Sequence, residues 1–173
     1  MQQIENSNQE DIEEIFRLYR IASDYQRGKK TVVVWPEFDR TMVNIEIVQD
    51  RQFKLIINEE IACVWAITFS DAQIWGEKNA DAAIYIHRIA TNPNFRGHNF
   101  VGSIVDWSKT YAVAQQKRYI RLDTLGDNKG LIRHYTGAGF DFVGMFELEN
   151  VDELPPHYKD GPVCLFQIDL QKG

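Results

Sequence analysis

The chain has 173 residues and a formal charge of −6, with 19 Lys and Arg against 25 Asp and Glu. Hydrophobic residues make up 44% of it and aromatic residues 12%, enough for one buried core in a single domain over residues 1–173. The acidic balance argues against a nucleic-acid surface and leaves cationic substrates open. Cys63 and Cys164 lack Cys-x-x-Cys spacing, so the sequence predicts neither a disulfide framework nor a zinc site.

Targeting and membrane segments are not visible in the sequence. The first residues, MQQIENSNQEDIEE, lack a basic start followed by an apolar core. No apolar run approaches the roughly 18 residues of a membrane-spanning helix. We therefore expect a cytoplasmic protein without a membrane partner.

The N-terminal part predicts one strand and two helices. Residues 2–5 favour a short strand, and SNQE at 7–10 matches a capping box that begins a helix, which Gly28 ends. A second helix is predicted at about residues 37–49. One face of this second helix is apolar and carries Phe38, Met42 and Ile45. Trp35, just before it, is a candidate contact for a substrate, with a place in the core as the alternative.

From residue 52 the pattern changes to β. The runs FKLIIN and IACVWAITFS flank a turn at residues 58–60 and predict a hairpin of buried strands, followed by a connection over 71–81. Cys63 alternates with Trp65 and Ile67 on one face of the second strand. A catalytic thiol requires exposure and a cationic neighbour, so we expect Cys63 to be a core residue.

The stretch from Ala82 to Tyr111 has the pattern of a buried strand, a short loop and a long amphipathic helix. Residues 92–94, Asn-Pro-Asn, end the strand, and after Gly97 the hydrophobic period changes from two to 3.6. A helix N-terminus carries unpaired N–H groups and a partial positive charge. A glycine-containing loop before such a helix therefore suits a phosphate or pyrophosphate.

Two nucleotide-binding patterns fit this loop poorly. The P-loop G-x-x-x-x-G-K-S/T requires a Lys that residues 97–103, GHNFVGS, do not contain. A dinucleotide-binding turn requires G-x-G-x-x-G, which His98 and Asn99 interrupt. Neither family explains the loop.

The loop instead resembles the R/Q-x-x-G-x-G/A hallmark of the GNAT superfamily of N-acetyltransferases, which joins that family's fourth strand to its third helix. Residues 89–91 are similar to the hydrophobic triplet before the hallmark, Pro93 to its Pro, and Arg96-Gly97 to its first residues. Asn99 stands at the first hallmark Gly, where we expect the left-handed backbone that Asn tolerates. Val101 stands at the final Gly or Ala, and its β-branched side chain is expected to narrow the approach of a pyrophosphate.

A second block, residues 119–140, is similar to the family's fifth strand and fourth helix. Asn128, Tyr135 and the terminal Gly139-Phe140 follow the family's order of Asn, Tyr and Gly-Phe. Asp123 lies where some members that acetylate protein N-termini place a Glu. Because two blocks in the right order are more specific than either alone, the chain is identified as a member of the superfamily.

The resemblance implies that acetyl-CoA is the co-substrate. Its contacts are expected from the triplet, the hallmark loop and the start of the following helix, at Ile89, Ala90, Thr91, Arg96, Gly97, His98, Asn99, Phe100, Val101, Gly102 and Asn128.

Acetyl transfer to an amine requires a general base and a general acid. An amine of pKa near 10.4 is neutral in only about one molecule in a few thousand at pH 7, so the enzyme must generate the free base beside the thioester. Asp123 and His87 are the candidate bases, although both also suit structural roles. Tyr135 stands at the position of the family's frequent general acid. Four scattered histidines without an H-E-x-x-H motif predict no metal.

The C-terminal part predicts two last strands, residues 142–148 and 163–170, joined by the polar loop 149–162. Loops of this length are often functional. His157 and Tyr158 follow two prolines within it and are candidate substrate contacts. The loop is either a lid over the acceptor, a solvated excursion or a dimer contact.

The sequence therefore predicts an α/β (α+β) domain of the GNAT type, with a mixed, mostly antiparallel sheet of about seven strands and helices on both faces. The sheet is expected to open between its fourth and fifth strands. The implied function is direct acetyl transfer from acetyl-CoA to a primary amine, with the acceptor and a homodimer left open. The alternatives are a non-catalytic acyl-CoA sensor and an interaction module.

Overall fold

The computed structural model describes residues 1–29, 33–149, 151–159 and 161–172. In chain order the strands and α-helices of this part are β1 (Gln2–Asn6), α1 (Ile12–Arg27), α2 (Arg40–Val48), β2 (Gln52–Ile57), β3 (Glu60–Thr68), α3 (Ala72–Trp75), β4 (Ala83–Thr91), α4 (Phe100–Ala114), β5 (Tyr119–Leu125), α5 (Lys129–Gly137), β6 (Asp141–Phe146) and β7 (Val163–Asp169). Within the same residues, none of the helices has the length and apolar character needed to cross a membrane.

The seven strands form one sheet in the order β1-β2-β3-β4-β5-β7-β6. Neighbouring strands are antiparallel except β4 and β5, which are parallel. Their parallel ladder pairs residues 83–85 with residues 119–121. Residues 86–91 of β4 and 122–125 of β5 continue beyond it without pairing to each other in the described sheet. The predicted mixed, mostly antiparallel sheet with an opening between its fourth and fifth strands is thereby confirmed.

Helices cover both faces of the sheet, as the sequence predicts. Cys63, Trp65 and Ile67 of β3 belong to the core beneath α4 and α5. Val64, on the opposite face of the same strand, packs with α1 and α2. Period-two alternation sends successive side chains of a strand to opposite faces, so β3 contributes to both cores. Full burial of one Ile or Leu side chain contributes about 1.5–3 kcal/mol.

Strand β4 carries a bulge at Arg88. Val64 pairs with Ala90 and Ala66 pairs with His87, so one residue of β3 faces two residues of β4. Arg88 has a φ of +53°, in the left-handed region that residues with a side chain seldom adopt. A bulge bends its strand, and this bulge lies where β4 separates from β5.

Buried contacts hold the bulge in place. The guanidinium of Arg88 forms a salt bridge with Glu46 of α2, a side chain that is 3% exposed. Its Nε donates a hydrogen bond to the hydroxyl of Tyr19 of α1 over 3.2 Å. Two helices therefore stabilise a backbone conformation that is unfavourable by itself.

The first capping box lies one residue later than predicted. The side chain of Asn8 accepts a hydrogen bond from the backbone N–H of Glu10, and the Asp11 carboxylate accepts one from the N–H of Asn8, both over 2.8 Å. Ser7 is buried, and its N–H donates to the carbonyl of Gln52 over 2.8 Å. Because that bond holds Ser7 against β2, the helical turn starts at the next residue.

The second helix is shorter than predicted. The side chain of Asp39 accepts a hydrogen bond from the N–H of Thr41 over 2.8 Å, which caps α2 and leaves Phe38 outside the helix. Ile45, predicted on the inner face, is 47% exposed. The buried face of α2 carries Val43, Glu46 and Ile47 instead. The prediction was wrong for Ile45, whereas Phe38 and Met42 both pack against the core that α1 and α2 form.

Candidate active site

A cavity of about 790 Å³ lies at the opening between β4 and β5. Both strands line it, together with α1, α2, α5 and the segment between β6 and β7. The predicted site residues that it brings together are Trp35, His87, Ile89, Asp123, Asn128, Tyr135, His157 and Tyr158. Residues that the sequence places far apart therefore share one cavity, although their roles stay predictions.

Three of the lining residues form an acidic cluster, which we define as Asp71, His87 and Asp123. Each offers one ligand atom, and these atoms lie within 4.8 Å of one another. Asp71 directly precedes α3, in the predicted connection over residues 71–81. Its N–H donates to Oδ1 of Asn79 over 2.6 Å, and its buried Oδ2 has no hydrogen-bond partner among the described residues. The acidic cluster thus contains a buried carboxylate oxygen, on a residue that lines the cavity, for which the described residues provide no hydrogen-bond donor.

The two carboxyl groups of the acidic cluster titrate near neutral pH. Burial raises the pKa of Asp123 to about 6, although a hydrogen bond from the Tyr158 hydroxyl over 3.1 Å lowers it. Burial, and then the charge of Asp123, raise the pKa of Asp71 to about 7. A carboxylate in this range is ionised enough to accept a proton at neutral pH and basic enough to hold it.

His87 is the neutral member of the acidic cluster. Burial, and then the charges of Arg88 and Arg51, lower the pKa of His87 to about 3. Its Nε2 lies 2.8 Å from Oγ1 of Thr68, within hydrogen-bond distance. At neutral pH the imidazole is uncharged, so the negative charge of the cluster comes from the two carboxyl groups.

Tyr135 lies on α5 at the other side of the opening. Burial raises its pKa to about 12, with further contributions from Cys63 and Asp123. Its ring contacts Phe140 and Phe166, with centroids 6.0 and 5.4 Å away. The hydroxyl therefore remains protonated across the neutral range and carries a proton that it can donate in a hydrogen bond.

A row of rings connects the segment before α2 to the acidic cluster, and we call Trp35, Phe38, His157 and Tyr158 the aromatic wall. Successive ring centroids lie 5.7, 6.0 and 4.6 Å apart, from Trp35 to Phe38, His157 and Tyr158. Tyr158 then reaches Asp123 through its hydroxyl. The aromatic wall therefore forms an apolar side of the cavity, and this side ends at the polar acidic cluster.

The segment between β6 and β7 contributes the last two members of the aromatic wall. His157 is 7% exposed, in a short helical turn at Pro156–Lys159. Glu153 accepts a hydrogen bond from Nε2 of Gln73 over 2.9 Å, which ties the segment to α3. Among the predicted alternatives, a fully solvated excursion does not fit these contacts. The lid function itself stays a prediction.

The hallmark loop lies outside the described residues that line the cavity and contacts one of them. The Arg96 guanidinium carbon lies 5.8 Å from the ring centroid of Tyr25, which does line the cavity. Gly97 has a φ of +90°, which only glycine adopts without strain. His98 stacks on Phe100 with the centroids 5.3 Å apart. The loop thus presents a glycine turn and a helix N-terminus beside the cavity.

Asn99 caps α4 instead of adopting the predicted left-handed backbone. Its φ is −86°, and its side chain accepts a hydrogen bond from the N–H of Gly102 over 3.0 Å. A Cβ added to Gly102 would lie 2.3 Å from Nδ2 of Asn99, so the cap requires a glycine there. The prediction was wrong because Asn fills the N-cap position, which it strongly favours.

Val101 does not crowd the loop as the sequence led us to expect. Its side chain is 7% exposed and packs into the core beneath α4. The remaining triplet residues lie on β4 after the bulge. Ala90 packs against α1 and α2, and Oγ1 of Thr91 lies 3.9 Å from Sγ of Cys63. Their predicted contact with a coenzyme stays a prediction.

Sequence reasoning missed Asp71, Arg88 and Glu46. Asp71 stands in a segment without periodicity, so nothing local distinguishes it from a solvated acid. Glu46 interrupts the apolar face of α2, and a buried acid of that kind requires a cationic partner. That interruption is a signal, but the identity of the partner depends on the tertiary fold.

Comparisons with known proteins agree with this architecture. Residues 12–140 match the model of the acetyltransferase (GNAT) family. The uncharacterized N-acetyltransferase YesJ of Bacillus subtilis is 31% identical over 74 residues, which are 43% of this chain and 41% of the relative. The match thus spans less than half the length of that relative.

Solved structures share the fold at low sequence identity. A GNAT-family acetyltransferase of Listeria monocytogenes is 18% identical with a TM-score of 0.76, and the match covers 98% of this chain and 95% of that one. The yncA protein of Salmonella typhimurium, solved with acetyl-CoA, is 10% identical with a TM-score of 0.68, over 99% of this chain and 95% of that one. The resemblance found in the sequence is confirmed: because the family model spans α1 to α5 and both signature blocks, the chain belongs to the acetyltransferase (GNAT) family.

Proposed function

We propose that residues 1–173 form one catalytic domain that transfers the acetyl group of acetyl-CoA directly to a primary amine. The observation that carries the proposal is that Asp123 of β5 and Tyr135 of α5 line the same cavity at the opening between β4 and β5. One is a carboxylate that titrates near pH 6, and the other is a phenol that stays protonated. These are the two proton-handling groups that acetyl transfer to an amine requires.

The chain offers suitable partners for acetyl-CoA. Beyond residue 85, the edge of β4 that faces β5 has no ladder partner there, so its peptide groups can bond to the amides of the pantetheine arm. The turn at Arg96–Gly97 leads to the N-terminus of α4, which favours phosphate groups. The structural relative yncA holds acetyl-CoA in the same fold. We propose contacts from residues 89–91, from residues 96–102 and from Asn128.

The acceptor loses a proton before it attacks. An ammonium that enters the cavity gives its proton to the carboxylate of Asp123, with Asp71 as the neighbouring acidic group. The free amine then forms an N–C bond to the thioester carbonyl. Backbone N–H groups of residues 89–91, on the unpaired edge of β4, stabilise the oxyanion.

Collapse of the tetrahedral intermediate breaks the C–S bond and releases the coenzyme thiolate, while the attacking nitrogen loses its second proton to solvent and becomes the neutral amide. Tyr135 donates a hydrogen bond to the departing sulfur. An ordinary thiol has a pKa near 8.5, well below the pKa of about 12 of Tyr135, so this hydrogen bond stabilises the thiolate more than it transfers a proton.

Direct transfer is supported by the environment of the cysteines. An acyl-enzyme route would require a reactive thiolate in contact with the thioester. Cys63 and Cys164 are both buried, and burial raises the pKa of Cys63 to about 12 and raises the pKa of Cys164 as well. Neither thiol lines the cavity.

Calorimetric titration with acetyl-CoA tests the coenzyme site. The wild type should bind with micromolar affinity, and Arg96→Ala combined with Gly97→Glu should abolish binding, because the new carboxylate repels phosphate and strains the turn. Gly137→Glu, at an exposed position with open space around it, is the matched control and should bind normally. Release of free thiol with a panel of primary amines then tests transfer. Tight binding without turnover of any amine would contradict the proposed function.

A further inference from the structure

The acidic cluster lacks a cationic partner. Among the salt bridges formed by the described residues, none involves Asp71 or Asp123. Asp123 accepts a hydrogen bond from Tyr158, and Oδ2 of Asp71 accepts none. Buried carboxylates are rare unless they are paired. An ammonium group bound between the two carboxylates would supply the missing charge.

The cations nearest to the acidic cluster are already engaged. The described lining residues with a permanent positive charge are Lys29, Arg51 and Arg88. Arg88 is bound by Glu46 and Tyr19. Arg51 donates through Nε and Nη2 to Gln49, over 2.9 and 2.7 Å, and through Nη1 to the carbonyl of Ile67 over 2.9 Å.

Lys29 follows the C-cap of α1. Its Nζ is 5.1 Å from the ring centroid of Tyr25, and that ring also contacts Arg96 of the hallmark loop. The cation is therefore associated with the coenzyme side of the cavity. A carboxylate one carbon away from the reacting amine would lie beside the acidic cluster, where no free guanidinium among the described residues could bind it.

The aromatic wall indicates what the rest of the acceptor looks like. Trp35, Phe38, His157 and Tyr158 offer contiguous rings, and Met42 and Leu154 extend the apolar lining. Apolar bodies bury surface against such a wall, and ring faces also attract an ammonium by cation–π interaction. The wall ends at Asp123, so an apolar body packed along it directs its amine to the acidic cluster.

From these contacts we propose that the acceptor is a primary amine on an aryl or alkyl body that carries no carboxylate, and that α-amino acids are rejected. The inference rests on the proposed acetyl transfer and names the substrate class for that same site. The acidic cluster binds the ammonium group, and the aromatic wall binds the apolar body of the acceptor. The carboxylates of Asp71 and Asp123 repel an acceptor that carries a carboxylate of its own.

Matched pairs of acceptors test the inference. The pairs are phenethylamine with phenylalanine, tryptamine with tryptophan, and isoamylamine with leucine; each pair differs by one carboxylate, and each member has one amine. With acetyl-CoA binding measured first, kcat/KM and the calorimetric Kd are determined for every member. Each amine should exceed its amino acid at least about tenfold, because an unpaired buried charge is costly. Equal or reversed preference overturns the inference and leaves the proposed function standing.

The binding measurement separates the two proposals. If the amines bind preferentially but no member is acetylated, the proposed function fails and the recognition of carboxylate-free amines stands. If no member binds, although acetyl-CoA does, both fail.

A charge-release variant tests the reason for the preference. Glu46→Gln removes the carboxylate that binds Arg88, so the guanidinium of Arg88 loses its counter-charge and becomes available in the cavity. The ratio of amine to amino acid in kcat/KM should then fall at least about fivefold. Glu37→Gln removes the same charge from an exposed pair with Arg20 and should leave the ratio unchanged.

A second variant covers the case in which Glu46→Gln does not fold. Asp71→Asn removes one carboxylate from the acidic cluster and should weaken binding of phenethylamine at least about tenfold while phenylalanine changes less. An unchanged ratio in a folded Glu46→Gln, or unchanged binding of phenethylamine by Asp71→Asn, overturns the inference.

Discussion

The hydroxyl of Tyr158 donates a hydrogen bond to Oδ2 of Asp123 over 3.1 Å. This bond connects the segment between β6 and β7 to the strand that carries the proposed base. It favours the ionised carboxylate and lowers the pKa of Asp123, whereas burial raises that pKa to about 6. A residue of the C-terminal loop thus tunes the protonation of Asp123.

Removing this hydrogen bond should shift the pH dependence of the reaction. In Tyr158→Phe the carboxylate loses a donor, so the pKa of Asp123 rises and the acidic limb of kcat/KM moves to higher pH. The rate at pH 6 should therefore fall more than the rate at pH 8. Asp123→Asn, which lacks the titrating group, should lose this limb. Profiles that coincide for the wild type and Tyr158→Phe would contradict the role of Asp123.

Asp71 should weaken the fold at alkaline pH. Its pKa is about 7 in the folded state against an ordinary 3.8, so the folded protein holds the proton more tightly than the unfolded chain. Stability is therefore lost as the pH rises from about 4 through 7. Asp71→Asn should raise the stability at pH 8 by on the order of 1–3 kcal/mol, several degrees in melting temperature, while acceptor turnover falls.

The same comparison near pH 4 provides the internal control, because the carboxyl group is then largely protonated in the folded protein and the gain should nearly vanish. Asp106→Asn, at an exposed position on α4, should change neither value appreciably. A stability gain in Asp71→Asn that is equal at both pH values would show that burial of the charge is not its cause.

Removing only one partner of the salt bridge between Arg88 and Glu46 should destabilise the protein more than removing both. Arg88→Met leaves a carboxylate that is 3% exposed without its guanidinium, which should cost about 3–5 kcal/mol in urea unfolding. Adding Glu46→Gln to that variant removes the uncompensated charge and should recover part of the loss. A loss below about 1 kcal/mol in the single variant would mean that water reaches Glu46.

What the sequence could predict was determined locally. The hairpin of β2 and β3 follows from alternation around a turn, and residues 92–94 end β4 by their own backbone preferences. Asn128 caps α5 by accepting a hydrogen bond from the N–H of Leu131 over 3.1 Å, although the sequence analysis predicted it only as a coenzyme contact. Each of these features depends on residues close to one another in the chain.

What the sequence could not predict depends on distant partners. Asp71 becomes part of the site only because the fold brings it within 4.8 Å of His87 and Asp123. Ser7 fails as a cap because Gln52, on another strand, engages its N–H. Such competition between a local motif and a tertiary bond cannot be read from spacing alone.

Tyr135→Phe separates chemistry from binding. The phenol hydrogen bond is made to a sulfur that carries charge only as the thioester breaks, so its loss should lower kcat by about 10²- to 10⁴-fold. The Kd for acetyl-CoA should change little, because the ring keeps its contacts with Phe140 and Phe166. Steady-state assays measure kcat, and calorimetric titration measures the Kd for acetyl-CoA. Unaltered turnover with a true acceptor would remove Tyr135 from the mechanism.

The reaction should need no metal, even though Asp71, His87 and Asp123 could together hold a small cation. Carboxylates accept the proton, peptide N–H groups stabilise the oxyanion and Tyr135 stabilises the thiolate, so no step of the proposed transfer requires a Lewis acid. An excess of EDTA should leave kcat unchanged, and EDTA saturated with calcium is the matched control. Loss of turnover with free EDTA alone, restored by zinc and absent from a His87→Ala variant, would show instead that the acidic cluster works as a metal site.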